Sequence, residues 1–263
     1  MKKLIQQAML LLTLPLSATA VSTQLPVDEI IHKANLASYY AGDDGSAEAR
    51  MMIVDKNGSK QIRQFNILRK DIEDEGRQNM LVIFSRPTDV KGTVFRVEKQ
   101  VAVDDNRWLY LPALDLVKRI SAGDKRTSFV GSHFYYEDVS GRNPQEDSFE
   151  LLDTTAEHFI VKGTPKKPET VEFAYYQAKI STTSFLPLEV VYYNAKGKPM
   201  RQMTVKKTAN IQGIPTVVHS RIDQLSDGSY TEMMFRKVKY DLGLPQGIFS
   251  ERSQRKPPQK WLK

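Results

Sequence analysis

The chain has 263 residues, of which 40% are hydrophobic, and a formal net charge of +7. It contains no cysteine, which excludes disulfide bonds, thiolate metal ligands, a cysteine nucleophile and a lipid anchor on an N-terminal cysteine. The basic residues are spread along the sequence among acidic ones, so the positive charge does not indicate nucleic-acid binding. It is compatible with weak, transient attraction to anionic membrane surfaces.

Residues 1–20 have the pattern of a secretory signal peptide. Lys2 and Lys3 precede an apolar run that includes two glutamines and is shorter than the roughly 20 residues of a membrane span. The segment Ala18–Ala20 supplies the small residues that signal peptidase accepts. We therefore predict cleavage after Ala20, a periplasmic location and one mature domain over residues 21–251.

One amphipathic helix is predicted near the start of the mature chain. Val27, Ile30, Ile31 and Ala34 recur at spacings of three and four, which places them on one helical face. Acidic residues lie in the first turn, and the glycines and aspartates of residues 42–45 end the pattern.

Beyond residue 45 the apolar pattern becomes that of β-strands separated by short turns. Asn57-Gly58 and Asp227-Gly228 are typical hairpin turns. Eleven strands are predicted, over residues 48–54, 60–69, 77–85, 94–99, 107–111, 158–162, 171–180, 188–194, 200–208, 214–225 and 229–240. Strands joined in this way indicate an antiparallel meander and a mainly β protein.

The segment from Pro112 to Asp153 has no clear periodicity. Long irregular insertions of this kind are usually lids, binding loops or disordered segments. Disorder is disfavoured by five aromatic residues, namely Phe129, Phe134, Tyr135, Tyr136 and Phe149. We predict a lid or plug here, whereas the basic, proline-containing residues 252–263 are predicted to form a flexible tail.

Two predicted strands are apolar on both faces. Residues 80–84 and 108–111 have no polar position, although a half-buried strand should alternate. One interpretation is a sandwich core with a second layer outside the sheet. The other is a barrel with an internal cavity whose outer face packs on a helix or lid. Methionines in the predicted strands suit an adaptable cavity, although they also fill ordinary cores.

No arrangement of residues indicates catalysis or a bound cofactor. The four histidines form no metal-binding spacing, and the sequence has no phosphate-binding glycine loop and no nucleophile elbow. We therefore predict no enzymatic activity, no metal and no cofactor.

Four segments in a fixed order resemble the outer-membrane lipoprotein-sorting proteins related to LolA. They are Phe84-x-x-Pro-x-Asp-Val-Lys-Gly-Thr93, Trp108-Leu-Tyr-Leu-Pro-Ala113, Lys118-Arg-Ile-Ser121 and Phe129-x-Gly-Ser-x-Phe-x-Tyr-Glu-Asp138. The resemblance is strongest to the branch associated with resistance-nodulation-division (RND) or MmpL-type exporters. One departure is His133, at a position where that family usually has an acidic residue.

The resemblance implies an unclosed, bent antiparallel β-barrel whose apolar inner face is covered by a lid. It also implies a periplasmic carrier of lipid or lipoprotein acyl chains that works with an inner-membrane exporter. A second hypothesis is an accessory subunit of the exporter whose sheet is filled by its own side chains. A third, an enzyme acting on lipids, lacks a catalytic set.

Candidate cavity-lining residues follow from the alternation of side chains within the predicted strands, so a register error of one residue would invert each set. They are Phe65, Ile67, Val82, Phe84, Phe95, Val97, Leu109, Leu111, Met203, Val205, Met233 and Phe235. Phe129, Phe134 and Tyr136 are the candidate lid residues. Arg119 is a candidate for binding a phosphate or carboxylate headgroup, and its alternative is a surface salt bridge.

Overall fold

The computed structural model describes residues 25–101 and 103–262, so the predicted signal peptide over residues 1–20 lies outside it. The helices are α1 (Val27–Tyr39), α2 (Tyr136–Ser140) and α3 (Arg252–Arg255). The strands are β1 (Asp44–Val54), β2 (Lys60–Asp71), β3 (Gln78–Arg86), β4 (Val94–Lys99), β5 (Asn106–Leu111), β6 (Leu116–Ile120), β7 (Asp147–Thr154), β8 (His158–Pro165), β9 (Tyr175–Ser181), β10 (Pro187–Tyr193), β11 (Pro199–Ile211), β12 (Ile214–Gln224) and β13 (Tyr230–Tyr240). Among these described residues, no helix has the length and apolar character needed to span a bilayer.

The strands form one unclosed antiparallel sheet in the order β6-β5-β4-β3-β2-β1-β13-β12-β11-β10-β9-β8-β7. The first and last strands pair at the centre of the sheet, where Met51 of β1 lies opposite Met233 of β13. Two meanders therefore extend outward from this central pair. The predicted fold class, a mainly β unclosed antiparallel barrel with an N-terminal helix, is confirmed.

The sequence predicted eleven strands, and the sheet of described residues has thirteen. The two that were missed, β6 and β7, lie within the segment predicted to be irregular, and they form the two edges of the sheet. An edge strand is largely exposed, so burial imposes little apolar alternation on its sequence. In β6, for example, only Ile120 is buried.

Both faces of the β2–β5 region are covered. Met80, Val82 and Phe84 point to what we call the inner face, where they join one hydrophobic cluster with Met51 and Phe95. Leu81 and Ile83 point to the outer face, where they pack with Leu244 and Phe249 from beyond β13. This second layer explains why residues 80–84 are apolar at every position.

The C-terminal residues belong to that outer layer, so the prediction of a flexible tail over residues 252–263 is wrong for the described residues 252–262. Gln254 is fully buried, and its Oε1 accepts a hydrogen bond from Arg96 Nε at 3.3 Å. Trp261 and Leu262 pack against the outer hydrophobic cluster. Their apolar surface outweighs the basic, proline-containing composition that suggested a flexible tail.

We expect Phe249→Ala to lower the free energy of unfolding by about 3–5 kcal/mol, because it removes a side chain that is only 2% exposed from the outer layer. The matched control is Leu114→Ala, which removes a leucine that is 70% exposed and should change stability by about 0.5 kcal/mol or less. Denaturant unfolding measures both. Equal stability of Phe249→Ala and the wild type would show that the C-terminal segment does not cover the sheet.

Candidate functional site

The inner face of the sheet is divided into three regions. Helix α1 packs on the β7–β10 side, where Ile30 and Ala34 contact a cluster that includes Phe159 and Ile180. Residues 121–146, which we call the lid segment, cover the β2–β5 side. The region between these covers, over β11, β12, β13 and β1, is left unfilled.

A partly enclosed cavity of about 440 Å³ occupies this middle region. Apolar side chains dominate its wall; they are Ala37, Phe65, Ile67, Met80, Phe134, Val139, Leu186, Val190, Met203, Val205, Val217, Ile222, Met233, Phe235 and Val238. Polar residues in the wall include Ser38, Arg69 and Asp138. The volume lies within the roughly 300–1,000 Å³ that is typical of small-molecule sites.

Six of the twelve predicted lining residues face this cavity, namely Phe65, Ile67, Met203, Val205, Met233 and Phe235. The other six lie on the same inner face but pack under the lid segment; they are Val82, Phe84, Phe95, Val97, Leu109 and Leu111. The alternation rule therefore places these side chains on one face, but it does not show which part of that face is covered. Their binding of a ligand remains a prediction.

The aromatic residues of the lid segment have different positions. Phe129 is fully buried, with its ring centroid 5.7 Å from that of Phe84 and 5.5 Å from that of Phe95. Tyr136 packs against Phe95 at 5.1 Å. Phe134 alone of the three predicted lid residues contributes to the cavity wall. Phe129 and Tyr136 thus fill one side of the inner face, and Phe134 forms its boundary with the cavity.

A buried carboxylate is the internal anchor of the lid segment. The carboxylate of Glu137 is 1% exposed and lies 3.0 Å from Lys125 Nζ, 2.8 Å from Arg126 Nη1 and 3.2 Å from Arg142 Nη1. Burial alone would raise the pKa of Glu137, but the charges of Arg142, Arg126 and Lys125 outweigh it and lower the pKa to about 2. This carboxylate is therefore ionised and paired at neutral pH.

A second anchor joins the lid segment to β11 and β13. Asp138 pairs with Arg201, whose Nη2 also donates to the carbonyl oxygen of His133 at 2.9 Å. The His133 amide donates to Thr231 Oγ1 at 3.1 Å, and its Nδ1 lies 2.8 Å from the same oxygen. Burial lowers the pKa of His133. The residue that departs from the family pattern thus bonds to the sheet through a neutral hydroxyl.

The C-terminal end of α2 is also held. Lys99 Nζ donates to the carbonyl oxygens of Ser140 and Gly141 at 3.1 and 3.0 Å, as a basic group at a helix C-terminus can. Gly141 has a φ of 84°, and a Cβ there would lie 2.9 Å from Tyr39 Cε1. Only glycine therefore fits between α2 and α1 at this position.

Arg119 lies away from the cavity. It is exposed on the edge strand β6, opposite Trp108, and its Nη2 donates to Asn106 Oδ1 at 2.9 Å. Trp108 stacks on Arg96, whose Nη1 bonds to the C-terminal segment on the outer face. The structure therefore does not bring the predicted headgroup residue to the cavity.

Several residues of the site were missed by sequence reasoning. Arg69 donates to the carbonyl oxygens of Tyr39, Ala41 and Gly42 at 2.5–2.7 Å, which fixes the end of α1 over the cavity. Ile222 and Ser220 line the cavity from β12. Polar residues on the inner face of β12 interrupt the apolar alternation, and that alternation was the signal used to choose lining residues on the other strands. Arg69 gave no signal in the sequence, because its partners are backbone atoms.

We expect Glu137→Gln to destabilise the protein by about 3–5 kcal/mol at pH 7, because it removes the acidic partner that three buried cations share. The pKa of Glu137 is lower in the folded protein than its ordinary value of 4.5, so its stabilisation is present above about pH 4.5 and is lost as the pH falls toward 2. Denaturant unfolding across this pH range should show the difference between variant and wild type shrinking.

Glu150→Gln is the matched control, because its carboxylate is 65% exposed and lies 3.8 Å from Lys162. This variant should resemble the wild type at every pH. A pH-independent difference between Glu137→Gln and the wild type would contradict the assigned ionisation of Glu137.

Comparison with known proteins identifies a matching family model and solved structures with a similar fold. A family model described as an uncharacterized protein matches residues 76–256. The chain is 27% identical to a DUF1329 family protein from Desulfovibrio piger, with a TM-score of 0.77 and coverage of 86% of this chain and 96% of that one. It is 24% identical to a "putative outer membrane lipoprotein-sorting protein domain" from Vibrio parahaemolyticus, with a TM-score of 0.78 and coverage of 86% and 97%.

A LolA superfamily protein from Nitrosomonas europaea is 15% identical, with a TM-score of 0.67 and coverage of 87% of this chain and 99% of that chain. No curated protein matches the sequence. The family model spans more than half of the chain. The chain therefore belongs to the family described by that model, and its fold is that of the LolA superfamily.

Proposed function

We propose that the protein is a periplasmic carrier that shields lipid or lipoprotein acyl chains in the cavity between α1 and the lid segment. The observation that carries this proposal is the unfilled, mostly apolar cavity of about 440 Å³ over the central strands. A folded protein packs its interior closely, so an apolar space of this size supports the proposal that a ligand binds here.

The physical role of such a cavity is to lower the cost of moving a hydrocarbon chain through water. Each methylene removed from water contributes about 0.8 kcal/mol. A chain that lies against Ile67, Met203 and Met233 is therefore stabilised without any covalent step. Methionine suits this role because its side chain adapts to different chain shapes.

The cavity favours a carrier over the non-carrying accessory subunit, whose sheet would be filled by its own side chains. Side chains of the lid segment fill the part of the inner face around Phe129. The filled region ends at Phe134, which borders the cavity. The lipoprotein-sorting description of the Vibrio parahaemolyticus domain also supports carriage. The sequence resemblance supports action beside an inner-membrane RND or MmpL-type exporter, and the signal-peptide pattern supports a periplasmic location.

Mass spectrometry of organic extracts tests the proposal on protein purified from periplasm. We expect an acyl-chain lipid in stoichiometric amount. Protein that is unfolded and then washed before extraction is the control and should have lost this lipid. Lipid-free protein that also fails to bind a fluorescent fatty acid would favour the accessory-subunit alternative.

Filling the cavity should remove binding without unfolding the chain. Val205→Trp places a large side chain in the space that Val205 now lines, and we expect at least tenfold weaker binding of a fluorescent fatty acid. The control Val103→Trp alters a residue that is 66% exposed outside the cavity and should bind normally. Thermal melting checks that both variants fold. Wild-type affinity in a folded Val205→Trp variant would remove the cavity from the proposal.

A further inference from the structure

Strands β12 and β13 separate partway along their length. Their ladder covers only residues 219–223 of β12 against residues 230–234 of β13. Beyond it, β12 continues to pair with β11 as far as Ile214, and β13 continues to pair with β1 as far as Tyr240. Each strand thus has one paired and one unpaired edge over residues 214–218 and 235–240.

Side chains close the far end of this separation. The side-chain Nε2 of Gln212 donates to the backbone carbonyl oxygen of Tyr240 at 3.1 Å, and its Oε1 accepts from the backbone N–H of Tyr240 at 2.8 Å. Thr216 Oγ1 lies 2.9 Å from the Tyr240 hydroxyl. The separation is therefore a bounded gap in the sheet, with the backbone ladder at one end and the Gln212–Tyr240 contact at the other.

The cavity reaches the sheet at this gap. Its wall includes Pro215 and Val217 from β12, and Phe235 and Val238 from β13. Pro215 has no backbone N–H, so it adds no unpaired donor to the free edge of β12. The side chains on the two margins of the gap that face the cavity are thus largely apolar.

Cations flank the gap. Lys239 lies opposite Ser46 at the outer margin of the gap, beside Trp261 and Leu262. Lys206, Lys207, Arg236 and Lys237 are exposed on β11 and β13. Glu48 lies 2.6 Å from Lys237 and 3.9 Å from Arg236. Within residues 25–101 and 103–262, Lys206, Lys207 and Lys239 have no acidic partner. The gap therefore combines an apolar interior with an uncompensated positive margin.

We propose that this gap is a side portal through which the acyl chain of an anionic amphiphile enters the cavity, while its phosphate or carboxylate headgroup binds Lys239. This inference rests on the proposed carrier function and adds the route and the class of headgroup. The headgroup remains beside water and the cations while the chain contacts Val217 and Phe235. Opening requires separation of Tyr240 from Gln212 and Thr216, and it leaves the lid segment in place.

A cross-link across the gap tests the route. The chain has no cysteine of its own, so Val217→Cys with Val238→Cys can be joined by a bifunctional thiol reagent. The control is Asp223→Cys with Tyr230→Cys, which joins the same strands where their ladder is intact. We expect the gap cross-link to slow both association and release of a fluorescent fatty acid at least tenfold, and the control cross-link to change neither rate.

The rates separate the two proposals. Wild-type rates in the protein cross-linked across the gap would overturn the portal and leave the carrier function intact. Absence of fatty-acid binding in the protein before cross-linking, and in the wild type, would overturn the carrier function itself.

A charge substitution tests the headgroup. We expect Lys239→Met to weaken binding of a fatty acid at least fivefold and to leave binding of the uncharged alcohol of equal chain length unchanged. Lys118→Met, on the exposed face of β6, is the control and should alter neither. Equal weakening of acid and alcohol would overturn the headgroup assignment. If inorganic phosphate by itself displaces the acid, Lys239 binds a free anion and not the headgroup of an amphiphile, which would also overturn the assignment.

Discussion

The carboxylate of Glu137, buried among Lys125, Arg126 and Arg142, joins the lid segment internally. Arg142 in turn pairs with Asp147 of β7, which holds that segment on the sheet. Arg201 and Lys99 fix the same segment from β11 and β4. Because these contacts are buried, solvent screens them weakly. They place Phe129 and Tyr136 over β2–β5 and end the covered region at Phe134. The cavity exists because α1 covers only the opposite side.

The strength of these contacts bears on how a ligand could reach the cavity. Swinging the lid segment aside would break the ion pairs of Asp138 with Arg201 and of Arg142 with Asp147, and leaving one partner of a buried pair without the other costs about 3–5 kcal/mol. A ligand can shift an equilibrium only by its difference in affinity for the two states. Separating Tyr240 from Gln212 and Thr216 breaks hydrogen bonds worth about 1 kcal/mol each. A route through the β12–β13 gap therefore requires far less free energy.

The sequence predicted the features that depend on local periodicity. Helix α1 and eleven of the strands follow from apolar spacing, and the alternation in β2–β5 placed Phe65, Val82 and Phe95 on one face. Edge strands β6 and β7 were not predicted, because exposed strands have little apolar alternation in their sequence. The division of the inner face into covered and open regions depends on long-range ion pairs such as Asp138 with Arg201, which leave no periodic signal. Arg119 was chosen as a headgroup candidate from the chemistry of its guanidinium alone. The sequence did not show that it lies on an edge strand away from the cavity.

The central claim is that an acyl chain occupies the inner face over β11–β13 and β1. Methionines report on both faces of these strands: Met203 and Met233 line the cavity, whereas Met52 and Met234 alternate with inner-face residues and point outward. Nuclear magnetic resonance of ¹³C-methyl methionine with a spin-labelled fatty acid measures the contact directly. Broadening of the Met203 and Met233 signals, with those of Met52 and Met234 remaining sharp, is the predicted result. Broadening confined to Met52 and Met234, or no broadening at all, would contradict the account.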